Sequence, residues 1–195
     1  MLDFEKDFKE SLIAGIDEAG RGPLAGPLVC ACVIMPKTDL IEGINDSKKL
    51  SPKKREELFE QIIQTALAYS IIEIDEKTID ELNILNATKL GMKKALEALA
   101  VKPEIVFTDA VQIETDLPQK NIIHGDGLSY NIAAASILAK VHRDRLMQKL
   151  SLQYPQYQFA QHKGYGTKLH IEKLKEFGPC PLHRKSFLKN FQNFF

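Results

Sequence analysis

Four carboxylates stand where short apolar runs stop. Asp17 and Glu18 close SLIAGIDE, Asp109 closes EIVFTD, and Asp126 follows NIIHG. Each run reads as a strand, and in open sheets sites gather at the C-terminal ends of strands. Adjacent strand residues point to opposite faces, so Asp17 and Glu18 reach one site only where the strand ends or bends. The Gly- and Pro-rich stretch 18–27 (EAGRGPLAGP) supplies such an end. Converging carboxylates repel one another unless hard cations lie between them, and Mg²⁺ takes oxygen ligands that it shares with substrate phosphate. The chemistry this set supports is two-metal hydrolysis of a phosphodiester. Acidic residues also end strands as turn formers, and for any one of the four alone that plainer reading stands beside the catalytic one.

Other residues could recognise a polyanion. Gly20-Arg21-Gly22 follows the acidic pair, and glycines let backbone N–H groups approach and cradle an anion. It is not a Walker loop, since no Gly-Lys-Ser/Thr follows, and Pro23 and Pro27 interrupt any dinucleotide fingerprint. A plain structural turn is the other reading. Ser136, Lys140 and Arg143 fall at i, i+4 and i+7 of one segment, a line that would track a phosphate backbone or simply face solvent. Tyr165 sits between two glycines in HKGYGT, where the backbone would present its ring for stacking on a sugar or base; an ordinary surface loop fits equally. The five histidines are too scattered for zinc spacing. Cys30 and Cys32 share a strand face and belong to the core. Cys180 lies in a rigid Gly-Pro-Cys-Pro turn with no identifiable base.

These residues need elements to hold them. The 195 residues suit one domain with a small appendage, at 44% hydrophobic and 27% charged. That balance excludes a disordered tail, a collagen and a coiled coil. No apolar run is long enough to span a membrane, and the first ten residues lack a signal-peptide core. An odd cysteine count points to a reducing compartment, so a cytoplasmic location is expected. Net charge is zero, but residues 121–195 carry 11 basic and 4 acidic residues against 15 and 22 in residues 1–120. A basic half suits a polyanionic partner. Strands are expected over 11–17, 28–35, 69–74, 104–109 and 121–124. Helices are expected from Ser51-Pro52, over 78–100 with a break near Asn83, over 130–150 and over 167–177, with a loop at 151–166. Within 130–150, Ala134, Ile137, Leu138 and Val141 form the buried stripe. The order implies a mixed α/β sheet with a helical C-terminal cap.

Taken together, several stretches resemble the type 2 ribonuclease H, or ribonuclease HII, family in its bacterial form. They are residues 15–27 (GIDEAGRGPLAGP), 46–50 (DSKKL), 83–92 (NILNATKLGM), 108–110, 125–145 (GDGLSYNIAAASILAKVHRDR), 154–167 (YPQYQFAQHKGYGT) and 181–187 (PLHRKSF). Their order and spacing cover nearly the whole chain. The resemblance implies an α/β ribonuclease H-like fold: a mixed five-stranded sheet flanked by helices, with a catalytic domain at 1–150 and a helical extension at 151–195. Asp17, Glu18, Asp109 and Asp126 match the family's metal-binding carboxylates, holding two Mg²⁺ or Mn²⁺ ions with substrate. Asp144 is the rival to Asp126, which is preferred because it stands in the Gly-Asp preceding the Ala-Ala-Ser helix. Gly20, Arg21 and Gly22 match the motif that grips a ribonucleotide's 2′-hydroxyl and neighbouring phosphates. Tyr165 matches the tyrosine that bonds that hydroxyl and stacks on the next sugar. Ser47, Lys48, Lys140 and Arg143 match nucleic-acid backbone contacts.

The implied activity is endonucleolytic cleavage of the RNA strand of RNA–DNA hybrids, and cleavage 5′ of single ribonucleotides in duplex DNA, leaving 5′-phosphate and 3′-hydroxyl ends. A monomer is expected. Gly91 stands where the family has alanine, and Gly127-Leu128 replaces a small and a basic residue; neither touches an implied ligand. The related ribonuclease HIII type carries an added N-terminal domain and lacks the Gly-Arg-Gly, which disfavours it here. A junction resolvase and a non-catalytic nucleic-acid module are the rival classes. The tail 189–195 (KNFQNFF) resembles a sliding-clamp peptide of imperfect spacing, against plain C-terminal packing.

Overall fold

A computed structural model gives the fold and describes residues 2–38 and 40–189. Five strands form one mixed sheet: β1 (Ile13–Ala19), β2 (Leu28–Ile34), β3 (Ala68–Ile74), β4 (Ile105–Asp109) and β5 (Gln119–Ile122), in the order β3-β2-β1-β4-β5. β1, β2 and β3 pair antiparallel, while β4 lies parallel to both β1 and β5. The helices are α1 (Leu2–Lys6), α2 (Pro52–Thr65), α3 (Glu76–Leu82), α4 (Ile84–Glu97), α5 (Tyr130–Gln153), α6 (Phe159–His162) and α7 (Lys168–Phe177). None of them is long and apolar enough to cross a membrane.

β2 is buried along its whole length because both sheet faces are covered. Cys30, Cys32 and Ile34 pack with Ala87, Met92 and Ala95 of α4. Val29, Ala31 and Val33 pack with Leu58 and Ile62 of α2 and with Ala134, Ile137 and Leu138 of α5. Helix boundaries follow local chemistry. Ser51 accepts from Lys54 N–H at 3.2 Å to cap α2. Asn83, at φ 66°, ends α3 and caps α4 by accepting from the N–H groups of Leu85 and Asn86, each at 3.1 Å. The break expected near Asn83 is therefore a cap shared between two helices.

Several expectations are corrected. α5 runs to Gln153, and the line of Ser136 and Arg143 is not its solvated face: these residues are 3% and 1% exposed. The helix is wedged between the sheet, α2 and the C-terminal segment, so its small residues face neighbours nearly all round. Residues 151–166 are not a plain loop. They hold the end of α5, a 3₁₀ turn at Pro155–Tyr157 and α6, ordered by burial of Tyr157 and Phe159, whose rings stack at 5.3 Å. α1 was not expected at all. Its Glu5 is buried and accepts from Ser129 Oγ, Asn131 N–H and Asn131 Nδ2, pinning the start of α5. Met147, Tyr157 and Phe159 pack around Ala25, and Leu174 and Leu188 around Leu24, so the C-terminal segment clamps the turn after β1.

Candidate active site

Parallel pairing brings two carboxylates side by side. The β1–β4 register reaches Ile16 opposite Thr108, so Asp17 and Asp109 are the next residues on adjacent strand ends. Alternation directs both toward α5, on the face of Ile13, Gly15 and Phe107. α5 can lie close there because Gly15 has no side chain: a Cβ would stand 2.1 Å from the Asn131 carbonyl carbon. Asp109 Oδ1 accepts from Gly125 N–H at 2.9 Å, which ties the 3₁₀ turn Gly125–Gly127, and with it Asp126, to the end of β4. Each of Asp17, Asp109 and Asp126 offers an oxygen, and these all lie within 4.8 Å of one another; among the described residues no other such group of acidic, histidine or cysteine ligands forms.

Glu18 points to the opposite side of β1 by alternation, yet it lines the same cleft because the strand ends at Ala19 and Gly20 turns it with φ 101°. Arg21 approaches Glu18 Oε1 at 3.5 Å, while the buried Oε2 has no partner. Burial pushes the Asp17 carboxyl well above the usual carboxylate range, with Glu18, Asp109 and Asp126 adding repulsion. Burial also raises Glu18, against the pull of Arg21. Asp126 is raised by burial even though Lys48 Nζ lies 3.3 Å from its Oδ2. Lys48 in turn holds its proton more firmly, because Asp126 and Asp17 outweigh its partial burial. An oxygen-only cluster, strained by its own charge and holding one orphaned carboxylate oxygen, fits a hard divalent cation.

A cleft of about 220 Å³ joins Asp17, Glu18 and Asp109 to the candidate recognition residues: Gly20, Arg21, Gly22, Ser47, Lys48, Lys140 and Tyr165 all line it, with Asp126 beside it against Lys48. Tyr165 is 42% exposed, and a Cβ on Gly22 would stand 3.8 Å from its ring. Ser47 is buried and its hydroxyl accepts from Ser136 Oγ at 2.7 Å. Lys140 pairs with Asp144 at 2.6 Å, so the rival carboxylate is occupied one turn along α5 and stands outside the acidic cluster.

Arg143 is not at the cleft surface. Its guanidinium donates to the carbonyls of Pro27 (2.9 Å), Lys163 (3.0 Å) and Ala25 (3.3 Å). A direct phosphate contact is thereby replaced by a hold on the backbone behind the Gly-Arg-Gly turn. The sequence reading also missed Arg184, His170 and His183. Arg184 lies in the matched stretch 181–187, where a lone arginine amid proline, leucine and phenylalanine was the available signal. The scattered histidines 162, 170 and 183 converge in the C-terminal segment, and His183 Nδ1 comes within 3.2 Å of Cys180 Sγ.

The family model described as Ribonuclease HII matches residues 14–190. The ribonuclease HII of Caldicellulosiruptor saccharolyticus is 59% identical over 179 residues, covering 91% of this chain and 87% of that protein. That of Ruminiclostridium cellulolyticum is 56% identical over 195 residues, covering 98% and 76%. Among solved structures, the ribonuclease HII in a PCNA complex from Archaeoglobus fulgidus superposes with a TM-score of 0.79 at 30% identity, covering 93% and 96% of the two chains. The ribonuclease H2 of Pyrococcus horikoshii gives 0.75 at 28%, covering 94% and 98%. Sequence and fold thus agree along nearly the whole length, and the chain belongs to the ribonuclease HII family, the metal-dependent endoribonucleases that cut the RNA strand of RNA–DNA hybrids.

Proposed function

We propose that this cleft also reads a single ribonucleotide in duplex DNA and cuts on its 5′ side, leaving 5′-phosphate and 3′-hydroxyl ends, and so starts removal of ribonucleotides from DNA. The observation that carries this reading is one cleft lined both by the acids Asp17, Glu18 and Asp109 and by the recognition residues Gly20–Gly22 and Tyr165. The only group that distinguishes ribose from deoxyribose at such a position is the 2′-hydroxyl.

Asp17, Glu18, Asp109 and Asp126 would hold two Mg²⁺ or Mn²⁺ ions. When bound, such ions supply an activated water and charge stabilisation at the leaving oxygen. The protein's own residues do the rest. The Gly20–Gly22 backbone approaches the sugar and phosphate at the cut. The Tyr165 hydroxyl meets the 2′-oxygen, and its ring covers the following sugar. Lys48 and Lys140 bring positive charge to the flanking phosphates, with Ser47 beside them. The enzyme acts as a monomer, and its free thiols Cys30, Cys32 and Cys180 suit the reducing environment of the cytoplasm.

The test is a DNA duplex carrying one ribonucleotide, incubated with Mg²⁺ and resolved to single-nucleotide length. One cut 5′ of the ribonucleotide with the stated ends is expected; no cut, or 2′,3′-cyclic ends, would contradict the reading. The Archaeoglobus neighbour was solved with PCNA. A sliding-clamp contact through residues 189–195 is proposed on that ground. Residues 190–195 lie outside the described residues, and co-elution of clamp with intact but not tail-truncated enzyme tests the contact.

A further inference from the structure

Two adjacent residues of the C-terminal segment reach the two recognition loops separately. His183 forms an isolated antiparallel bridge with Ala25. Arg184 N–H donates to the Leu24 carbonyl and Gly26 N–H to the Leu182 carbonyl, each at 2.9 Å. From this bridge the Arg184 side chain, fully buried, enters the turn after β1. Its Nη2 donates to the carbonyls of Gly20 and Gly26, both at 2.7 Å. Its Nη1 donates to Pro23 at 2.9 Å and Arg21 at 3.1 Å, and its Nε to Gly26 at 2.9 Å. One planar guanidinium thus fixes four carbonyls of the turn after β1, two of them in Gly-Arg-Gly, a geometry that lysine's single ammonium does not reproduce.

His183 leads the other way. Cys180 N–H donates to His183 Nδ1 at 2.9 Å, a shorter contact than the 3.3 Å from that nitrogen to the Cys180 carbonyl, which assigns the nitrogen as an acceptor without a proton. The neutral ring then holds its proton on Nε2, 3.1 Å from His170 Nε2, which must accept. His170 therefore carries its proton on Nδ1 and donates it to the Tyr165 carbonyl at 2.9 Å. A single choice of tautomer at each ring satisfies all three bonds. His162 stacks on His170 at 4.3 Å and is fixed in the same manner, accepting from Gly164 N–H at 3.2 Å and donating to the Tyr157 carbonyl at 2.9 Å.

We propose that His183 and Arg184 are positioning residues: Arg184 sets the backbone of Gly20–Gly22, and His183, acting through His170, sets the backbone of Tyr165, so that both loops meet one ribonucleotide in fixed register. The inference rests on the reading of this cleft as a ribonucleotide site. Displacement of a substrate-positioning group by about 1 Å costs up to roughly a hundredfold in rate.

Two substitutions at one position separate positioning from bulk packing. Asparagine at 170 can place its amide nitrogen where Nδ1 stands and keep the donor to Tyr165. Glutamine reaches toward His183 and loses that donor. KM and kcat on the single-ribonucleotide duplex are measured for His170→Asn, His170→Gln and Arg184→Lys, with melting temperatures alongside. His170→Gln should raise KM about tenfold and His170→Asn at most about threefold, at similar melting temperatures. In a Tyr165→Ala background the glutamine effect should vanish, because the two changes act through one group. Arg184→Lys should lower kcat by about tenfold or more; if it does not fold, the histidine pair still decides. Equal losses for asparagine and glutamine, or additivity with Tyr165→Ala, would overturn the proposal. If the wild-type enzyme leaves the single-ribonucleotide duplex uncut, the functional reading fails instead, and ¹⁵N NMR tests the relay alone. Protons on His170 Nδ1 and His183 Nε2 sustain it; the opposite tautomers sink it.

Discussion

Asp109 shows how much a single residue can carry. Its Oδ1 holds Gly125 N–H, and its carboxyl completes the group with Asp17 and Asp126. Asp109→Asn keeps an oxygen for Gly125 and removes one negative charge. Mg²⁺-dependent cleavage should fall by orders of magnitude, while the metal-free protein melts no lower than wild type, since fewer like charges repel. Cleavage rates and calorimetric melting in EDTA check both halves. Asp126→Ala should likewise abolish turnover, whereas Asp144→Ala should cost far less, because Asp144 is committed to Lys140 on α5. Parallel activity assays would expose a wrong choice by the reverse order. At this scale the sequence was most informative: acids at strand ends are visible as apolar runs that stop in Asp or Glu. Arg143 was misjudged for a physical reason. Helical spacing tells which residues share a face, but not whether that face meets solvent or another element.

At the scale of elements, the site depends on two contacts between distant segments. Gly15 lets the first turn of α5 rest on β1, which brings Asp126 to the strand ends; the apolar runs and the helix were legible, but this crossing was not, because it depends on the missing Cβ of Gly15. The second contact is the histidine relay joining α7 to the Cys180 turn. Burial depresses both His170 and His183 to about 4, with His162 further disfavouring charge on His170, and His170 and His162 further disfavouring it on His183. His162, Tyr157, Phe159 and Cys180 pack against them, and His162, beside Lys163, is depressed by burial too. The unfolded chain, with imidazoles near 6.5, binds more protons, so this contribution is complete above about pH 6.5 and is lost as pH falls toward 4. Melting temperatures measured across that range should drop more steeply for wild type than for His170→Asn. Parallel curves would show that the pair does not titrate with unfolding.

Over the whole molecule, the split between an acidic first part and a basic second part does not divide catalysis from grip: Asp126 lies in the second part, and Gly20–Gly22 and Lys48 lie in the first. The acids of β1 and β4 lie in the first part; Lys140 and the segment that clamps the Gly-Arg-Gly turn lie in the second. Histidines 162, 170 and 183 become one cluster through the turns between α6, α7 and Cys180, which no metal-spacing rule could foresee. Binding of duplex substrate should weaken with salt through counterion release, and Lys140→Ala should flatten that dependence by roughly one unit of slope. Titrations at several salt concentrations check this, an unchanged slope removing Lys140 from the interface. The central claim is that one sugar directs the cut. Its most direct test is the cleavage rate on three duplexes identical but for a single residue, carrying ribose, deoxyribose or 2′-O-methylribose, with wild type and Tyr165→Ala. One efficient cut 5′ of the ribose is expected, with negligible cleavage of the other two and a large loss of the ribose cut in Tyr165→Ala; comparable cleavage of ribose and deoxyribose duplexes by wild type would refute control by that sugar.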